Sequence, residues 1–290
     1  YIVSKVKDAV SSALYKDTES ADTLIEKIFR NEKVRKELQS VRKEARAKAK
    51  KVALKIPQLK DCKYHPSKNK PSAPGRESML FITEGQSAAG SIVSSRDPLT
   101  QAVFSLKGKP MNVLGQKLAV LYKNDEMYSL MRSLDIENSI GDLRYDYVIL
   151  ATDADVDGLH IRNLLLTFFL HYFEPLVKLG HIYILETPIF RVRTKEETIY
   201  CYSEKEKEMA TAKLQGKGKV KRVVETTRFK GLGEISPKEF KQFIGPDIRL
   251  KQVTLDSLSE VTKVLSFYMG KNTPDRRKYI MDNLVFEELV

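Results

Sequence analysis

Tryptophan is absent from this chain of 290 residues, and cysteine and histidine are scarce, at two and four. The two thiols, Cys62 and Cys201, can make neither a disulfide framework nor a four-thiolate zinc site, which points to a reducing compartment. Long apolar runs are missing as well. The longest stretch, around Leu159 to Val177, is interrupted by His160, Arg162, Asn163, His171 and Glu174. A membrane span needs roughly 20 mostly apolar residues, so this reads as a buried helix and no membrane association is expected. No P-loop occurs, since the GKGK at Gly216 lacks the spacing and the hydroxyl. Neither a GxSxG elbow nor a Cys/His nucleophile pair is present, and no segment repeats. The chain opens on Tyr1 with no signal peptide, and reads as a piece of a longer polypeptide.

What is present is the balance of a globular protein, 42% hydrophobic and 30% charged. The length is enough for two or three compact units. Basic residues exceed acidic ones, giving +12 and a pI near 9.4, which favours a polyanionic partner.

The organisation falls into three parts: 1–77, 78–188 and 189–290. The first is helical to about Lys55, with Val34, Leu38, Val41, Ala45, Ala49 and Val52 as one apolar stripe. Between Arg30 and Lys55 eleven Lys/Arg face three Asp/Glu, a local excess of eight. That face is either simply solvated or lies along a phosphate backbone. Pro57, Pro66, Pro71 and Pro74 then break the helix into a linker in which His65 stands alone. In the middle part, strand-like runs (Met79–Thr83, Ala102–Leu106, Tyr147–Thr152, His181–Leu185) alternate with helical ones, the longest from about Leu159 to Leu179. Such alternation predicts an α/β fold with a mostly parallel sheet flanked by helices. The last part reads as a mixed α+β tail. It contains a Gly/Lys loop at Gln215–Lys221, a glycine-punctuated turn at Arg228–Glu234, and a helix opened by Ser236 with Pro237 at its first position.

The strongest local signal is Thr152-Asp-Ala-Asp-Val-Asp-Gly158, three carboxylates at alternate positions just past a strand. They form a hard oxygen site suited to Mg²⁺ or Ca²⁺. An EF-hand shares this spacing, but its twelfth position would be Leu164 and its loop would follow a helix, so that reading fails. Capping of the next helix would explain one acid. Three within five residues repel one another unless a cation neutralises them. Glu84 also follows a strand, and strand ends gather active residues in such sheets. A Glu beside this cluster suits metal-assisted phosphoryl transfer, as ligand or proton carrier. Arg96, Lys107 and Lys109 would add positive charge for phosphates. The nucleophile is not evident; water or a partner would supply it.

Five motifs in order carry a resemblance to a known family. TEGQSAAG (Thr83–Gly90), LKGKPMNV (Leu106–Val113), TDADVDGLHIRNLLLTFF (Thr152–Phe169), RFKGLGE (Arg228–Glu234) and PDRRKYI (Pro274–Ile280) resemble the B subunit of bacterial type IIA DNA topoisomerases, gyrase and topoisomerase IV. The resemblance covers nearly the whole chain. It implies a Toprim domain over 78–188, with the basic N-terminal helix as the end of a transducer and 189–290 as the tail. It implies Mg²⁺ held by Glu84, Asp153 and Asp155, with Asp157 close by and Mn²⁺ or Ca²⁺ as substitutes. Lys109, Asn112 and His160, and less directly Arg276 and Arg277, would be DNA contacts. Partners would be duplex DNA and an A subunit that carries the nucleophilic tyrosine, in a cytoplasmic heterotetramer of two A and two B subunits. ATP would bind only on an N-terminal module outside this chain.

Two departures from the family pattern are visible. Gln86 stands where an acid is common, and Thr187-Pro-Ile-Phe190 replaces PPLY. Together with the absence of a large tail insertion, they favour topoisomerase IV over gyrase. A stand-alone Toprim nuclease or primase using metal-activated water, and a non-catalytic DNA clamp, are the rival readings. The nuclease would cut DNA alone with Mg²⁺; the clamp would survive Glu84→Gln and Asp153→Asn.

Overall fold

The computed structural model describes residues 2–52, 56–66, 77–215, 223–255 and 258–284. The Gly/Lys loop from Gly216 to Lys221 and most of the proline-rich linker lie outside them. The described residues divide into two compact units, one of residues 1–54 and 117–123, the other of 55–116 and 124–290.

The first unit is helical. It comprises α1 (Ile2–Lys16), α2 (Thr18–Val52) and, from later in the chain, the short helix Leu118–Lys123. The apolar stripe of α2 holds only in the half after Val34, at Leu38, Val41 and Ala45; the side chains of Ala49 and Val52 lie outside the described ones. Ala45 is buried and Leu38 and Val41 are half-buried, whereas Val34 is 56% exposed. The short helix covers that half, and the Arg42 guanidinium lies 5.1 Å from the centre of the Tyr122 ring.

In the second unit the chain runs β1 (Leu59–Lys60), β2 (Met79–Thr83), α3 (Gln86–Ser95) and β3 (Gln101–Ser105). After the excursion through α4, the helix Leu118–Lys123 of the first unit, come α5 (Asp125–Leu134), β4 (Tyr147–Ala151), α6 (Val156–Tyr172), α7 (Glu174–Lys178) and β5 (Ile182–Glu186). The tail adds β6 (Phe190–Arg193), β7 (Thr198–Cys201), α8 (Glu204–Gln215), β8 (Glu225–Arg228), α9 (Pro237–Phe243), β9 (Arg249–Gln252), α10 (Leu258–Met269) and α11 (Thr273–Asp282).

Six strands form one sheet in the order β1-β3-β2-β4-β5-β9. The central pairs β3–β2, β2–β4 and β4–β5 are parallel, and both edge strands are antiparallel. The α/β expectation is therefore met. Runs such as MLFIT and YVILA suit strands covered on both faces, because successive side chains point to opposite sides of the sheet. Leu80, Phe81 and Ile82 are fully buried, as are Val148, Ile149 and Leu150. On one face Phe81, Val103 and Ile149 pack with Ala88, Ala89 and Ile92 of α3. Phe229, Leu232, Ile235, Phe240, Phe243 and Ile244 of the tail complete the same core. A buried aromatic or Leu of this kind contributes about 1.5–3 kcal/mol. The tail also forms its own antiparallel sheet, β7-β6-β8, over which α8 packs.

The long helix expected from about Leu159 to Leu179 is two helices. It starts three residues earlier, capped by Asp155, and breaks at Phe173, whose φ of −131° and ψ of 35° are not helical. Pro175 follows at the first turn of α7, where its missing N–H costs nothing.

Candidate metal centre at the carboxyl ends of two parallel strands

The chain leaves β2 toward β3 on one side and leaves β4 toward β5 on the other, so the direction of winding reverses between β2 and β4. Crevices at such reversals, beyond the carboxyl ends of the strands, are where α/β sheets bind ligands. The register pairs Thr83 with Ala151. Glu84 and Asp153 therefore follow adjacent strand ends, one and two residues past the last pair, and the Asp153 amide donates to the Glu84 carboxyl.

Their environments are abnormal for carboxylates. Burial raises the Glu84 carboxyl above its usual range, and the charges of Asp153, Asp155 and Asp157 raise it further, against a small counter-effect from the Asp153 amide. Burial also raises Asp153, with Asp155 and Glu234 adding to it, although the Leu232 amide pulls the other way. Glu84 Oε2 is buried with no hydrogen-bond partner. An oxygen in that position, surrounded by like charge, costs free energy unless a cation meets it. Hard anionic oxygens at alternate positions are the donor set that Mg²⁺ takes, so these residues fit that ion.

The other acids divide the work. Asp155 caps α6, its Oδ1 accepting the Gly158 amide at 2.8 Å. The capping reading thus applies to one acid and leaves the others unexplained by it. Asp157 pairs with Lys109 at 2.7 Å, and this contact lowers its carboxyl. Gly158 is required where it stands, since a Cβ there would lie 2.2 Å from the Asp153 carbonyl oxygen. The helix can start this close to the acidic loop only without a side chain.

Lys107 and Lys109 lie at the same end of the sheet. Their turn starts with the Leu106 amide donating to the Thr83 carbonyl at 2.9 Å. Asn112 donates to the Met269 carbonyl at 2.7 Å and accepts the Leu114 amide at 3.1 Å, tying this turn to the end of α10. His160 is exposed on the first turns of α6. Arg276 donates to the Tyr268 carbonyl within the α10–α11 pair, and Arg277 is exposed on α11. Gln86, in place of an acid, donates to Ser105 Oγ at 2.8 Å and bridges the start of α3 to the end of β3.

Two expectations need correction. Arg96 supplies no charge to this site. It follows α3, a helix of ten residues or about 15 Å, and bonds the carbonyls of Asp61 and Gln101 at the opposite end of the strands. His65 is not alone either. Among the described residues, Asp61, Cys62 and His65 bring ligand atoms within 4.8 Å of one another. That cluster is already neutralised: Arg144 Nη2 is 2.6 Å from Asp61 Oδ2 and 3.1 Å from His65 Nε2, and Tyr145 donates to Asp61 at 2.7 Å. Burial, with Asp61 beside it, pushes the Cys62 thiol up to about 11. A guanidinium in the middle and a protonated thiol do not suit a cation.

Two features at the centre carried no signal in residue types. The Leu232 amide donates to Asp153 Oδ1 at 2.8 Å. The Arg162 guanidinium, half-buried in α6, bonds Thr152 Oγ1 at 3.2 Å. Only the glycines at 231 and 233 hint at the first.

Comparison with known proteins identifies the domains. Residues 79–187 match the Toprim domain, and residues 221–281 match the carboxyl terminus of the DNA gyrase B subunit. The chain is 54% identical to the B subunit of DNA topoisomerase 4 from Borreliella burgdorferi, over 98% of this chain and 46% of that protein. It is 35% identical to the B subunit of DNA gyrase from Archaeoglobus fulgidus, over 96% of this chain and 44% of that one. A crystal structure of the DNA-binding, cleavage and re-ligation domain of Plasmodium falciparum topoisomerase II superposes with a TM-score of 0.66 at 25% identity, covering 80% of this chain and 32% of its own. The fold and the two matched families define a Toprim domain with a gyrase-B-type tail. The chain belongs to the B-subunit family of type IIA DNA topoisomerases. It spans less than half the length of the two curated relatives described. No helix among the described residues is long and apolar enough to cross a membrane.

Proposed function

We propose that this chain is the cation-holding half of a DNA cleavage and rejoining centre, that of a topoisomerase IV acting with an A subunit. The observation that carries it is the buried, unpartnered Glu84 oxygen set against Asp153 at the end of two adjacent parallel strands. Glu84, Asp153 and Asp155 would hold Mg²⁺, with Mn²⁺ or Ca²⁺ as substitutes and Asp157 a more distant ligand. When bound, the ion supplies charge stabilisation at the scissile phosphate and the 3′ oxygen.

The remaining chemistry belongs to side chains. The raised Glu84 carboxyl is suited to give a proton to the 3′ oxygen as the strand is cut and to take it back from the 3′ hydroxyl as the strand is resealed, because it is protonated closer to neutral pH than an ordinary Glu. Lys109, His160, Asn112, Arg276 and Arg277 would line the path of the duplex. Basic groups that follow phosphates position DNA without reading its sequence, so binding should weaken steeply with salt. The attacking tyrosine would come from the A subunit, and ATP would act on an N-terminal module of the whole cytoplasmic protein, a heterotetramer of two A and two B subunits. The higher identity to the topoisomerase 4 relative than to the gyrase relative favours separation of linked rings over supercoiling.

The test combines full-length protein carrying Glu84→Gln with its A subunit. Plasmid cleavage and ring separation should fall at least about 100-fold, with the melting temperature retained. An active Glu84→Gln complex would overturn the assignment. So would Mg²⁺-dependent nicking by the purified chain alone, which would transfer the site to a nuclease.

A further inference from the structure

We infer that the tail turn Gly231–Glu234 is a positioning element for Asp153, and that Gly231 is glycine because any larger residue would displace that carboxylate. The inference rests on the reading of Glu84, Asp153 and Asp155 as cation ligands. The turn comes from a segment 79 residues beyond Asp153, yet its Leu232 amide donates to Asp153 Oδ1 at 2.8 Å. The second carboxylate oxygen lies against the backbone of the preceding residue. A Cβ on Gly231 would sit 2.8 Å from Oδ2 and 3.2 Å from Cγ. Gly231 has φ −134° and ψ 158°, an extended conformation open to every residue, so backbone strain does not explain the glycine. Room for the carboxylate does.

The turn is rigid enough to act as a reference point. Leu232 and Ile235 are buried in the core shared with α3 and α9. Glu234 Oε2 accepts the Lys230 amide at 2.8 Å and closes the loop. Ser236 caps α9 immediately afterwards. One oxygen of Asp153 is thus fixed by a backbone donor and the other kept in line by the absence of a side chain. Groups that orient a ligand in this way typically set metal affinity by 10- to 100-fold.

The experiment titrates the 290-residue chain with Mn²⁺, following the free ion by electron paramagnetic resonance, and measures the melting temperature without metal. Gly231→Ala should weaken Mn²⁺ binding at least about tenfold, while its metal-free melting temperature stays within about 4 °C of the parent. Glu84→Gln is measured alongside. If Glu84→Gln binds Mn²⁺ like the parent, the cation site itself falls, and this inference with it. If Glu84→Gln loses the ion and Gly231→Ala binds as the parent does, only the positioning role falls. A reciprocal measurement covers the case in which Gly231→Ala does not fold. In Asp153→Ala the Leu232 amide should exchange hydrogen about fivefold or more faster, with the Ile235 amide unchanged; an unaltered Leu232 rate would overturn the inference.

Discussion

Two polar clusters, one around Asp61 and one around Glu84 and Asp153, sit at opposite ends of the same sheet's parallel strands, and they are built on opposite principles. At the amino ends of the strands, Asp61 meets Arg144, Tyr145 and His65. Burial alone would raise its carboxyl, but the Tyr145 hydroxyl, Arg144 and His65 outweigh that and hold it below the usual range. At the carboxyl ends, Glu84 and Asp153 meet mostly other acids, and both are raised. Among the described residues it is the Asp61 cluster that brings three potential ligand atoms within 4.8 Å of one another, so proximity does not mark a cation site. The sign of the surroundings does. A carboxylate whose compensating charge is already in the chain holds the fold together. One whose neighbours are of its own sign is completed from outside.

The comparison is most easily broken at Asp61. Asp61→Ala leaves the Arg144 guanidinium without its carboxylate and the Tyr145 hydroxyl without its acceptor. Stability in denaturant titration should fall by about 2–3 kcal/mol, with Mn²⁺ affinity unchanged. A loss of Mn²⁺ affinity there would mean that the two ends are not independent. Glu239 is a second acid of the structural kind. It accepts from Arg191 and Tyr200 at 2.7 and 2.8 Å. Burial opposes its ionisation, but Ser236, Arg191 and Tyr200 pull its carboxyl down to about 2. A depressed acid stabilises the fold fully above its unfolded value, near 4.5, and that contribution is lost as the pH falls toward 2. Glu239→Gln should therefore cost about 1.5 kcal/mol at pH 7 and progressively less on acidification through that window. A cost that does not change between pH 7 and pH 3 would show that the charge contributes nothing.

The sequence reveals these two ends unequally, for a physical reason. DxDxD is local: three like charges in five residues cannot be explained by one cap, so the proposed cation cluster can be read without a structure. Continuous apolar runs such as YVILA likewise announce buried parallel strands. The structural cluster is non-local. Asp61 meets Arg144 across 83 residues, and nothing in the types of Asp61 or His65 shows that one guanidinium already bonds both. The edge strand Arg249–Gln252 is polar because an antiparallel edge has one face in water, and it carries no apolar run to read. The Leu232 amide is hidden for another reason. A backbone donor has no residue type, and only the glycine before it records how closely the turn approaches Asp153. Arg96 misled because chain proximity to the TEGQSAAG segment ignores the helix between them, which carries it to the far end of the sheet.

The smallest expected effect is the most discriminating, because its sign reverses with metal. Removing a structural carboxylate destabilises the protein; removing one that is waiting for a cation should not. Glu84→Gln relieves repulsion with Asp153, Asp155 and Asp157 while leaving a side chain of the same shape, and its Oε2 has no partner to lose. Without divalent metal the variant should be as stable as the parent or more stable, by about 0.5 kcal/mol, the scale of exposed like-charge contacts. Adding Mg²⁺ should invert the order. The parent gains RT ln(1 + [L]/Kd), about 1.4 kcal/mol at ten times Kd, and the variant gains little. Paired thermal melts in EDTA and in Mg²⁺ read both halves of this. A variant less stable than the parent in EDTA would place Glu84 with Asp61 and Glu239, as a carboxylate that serves the fold.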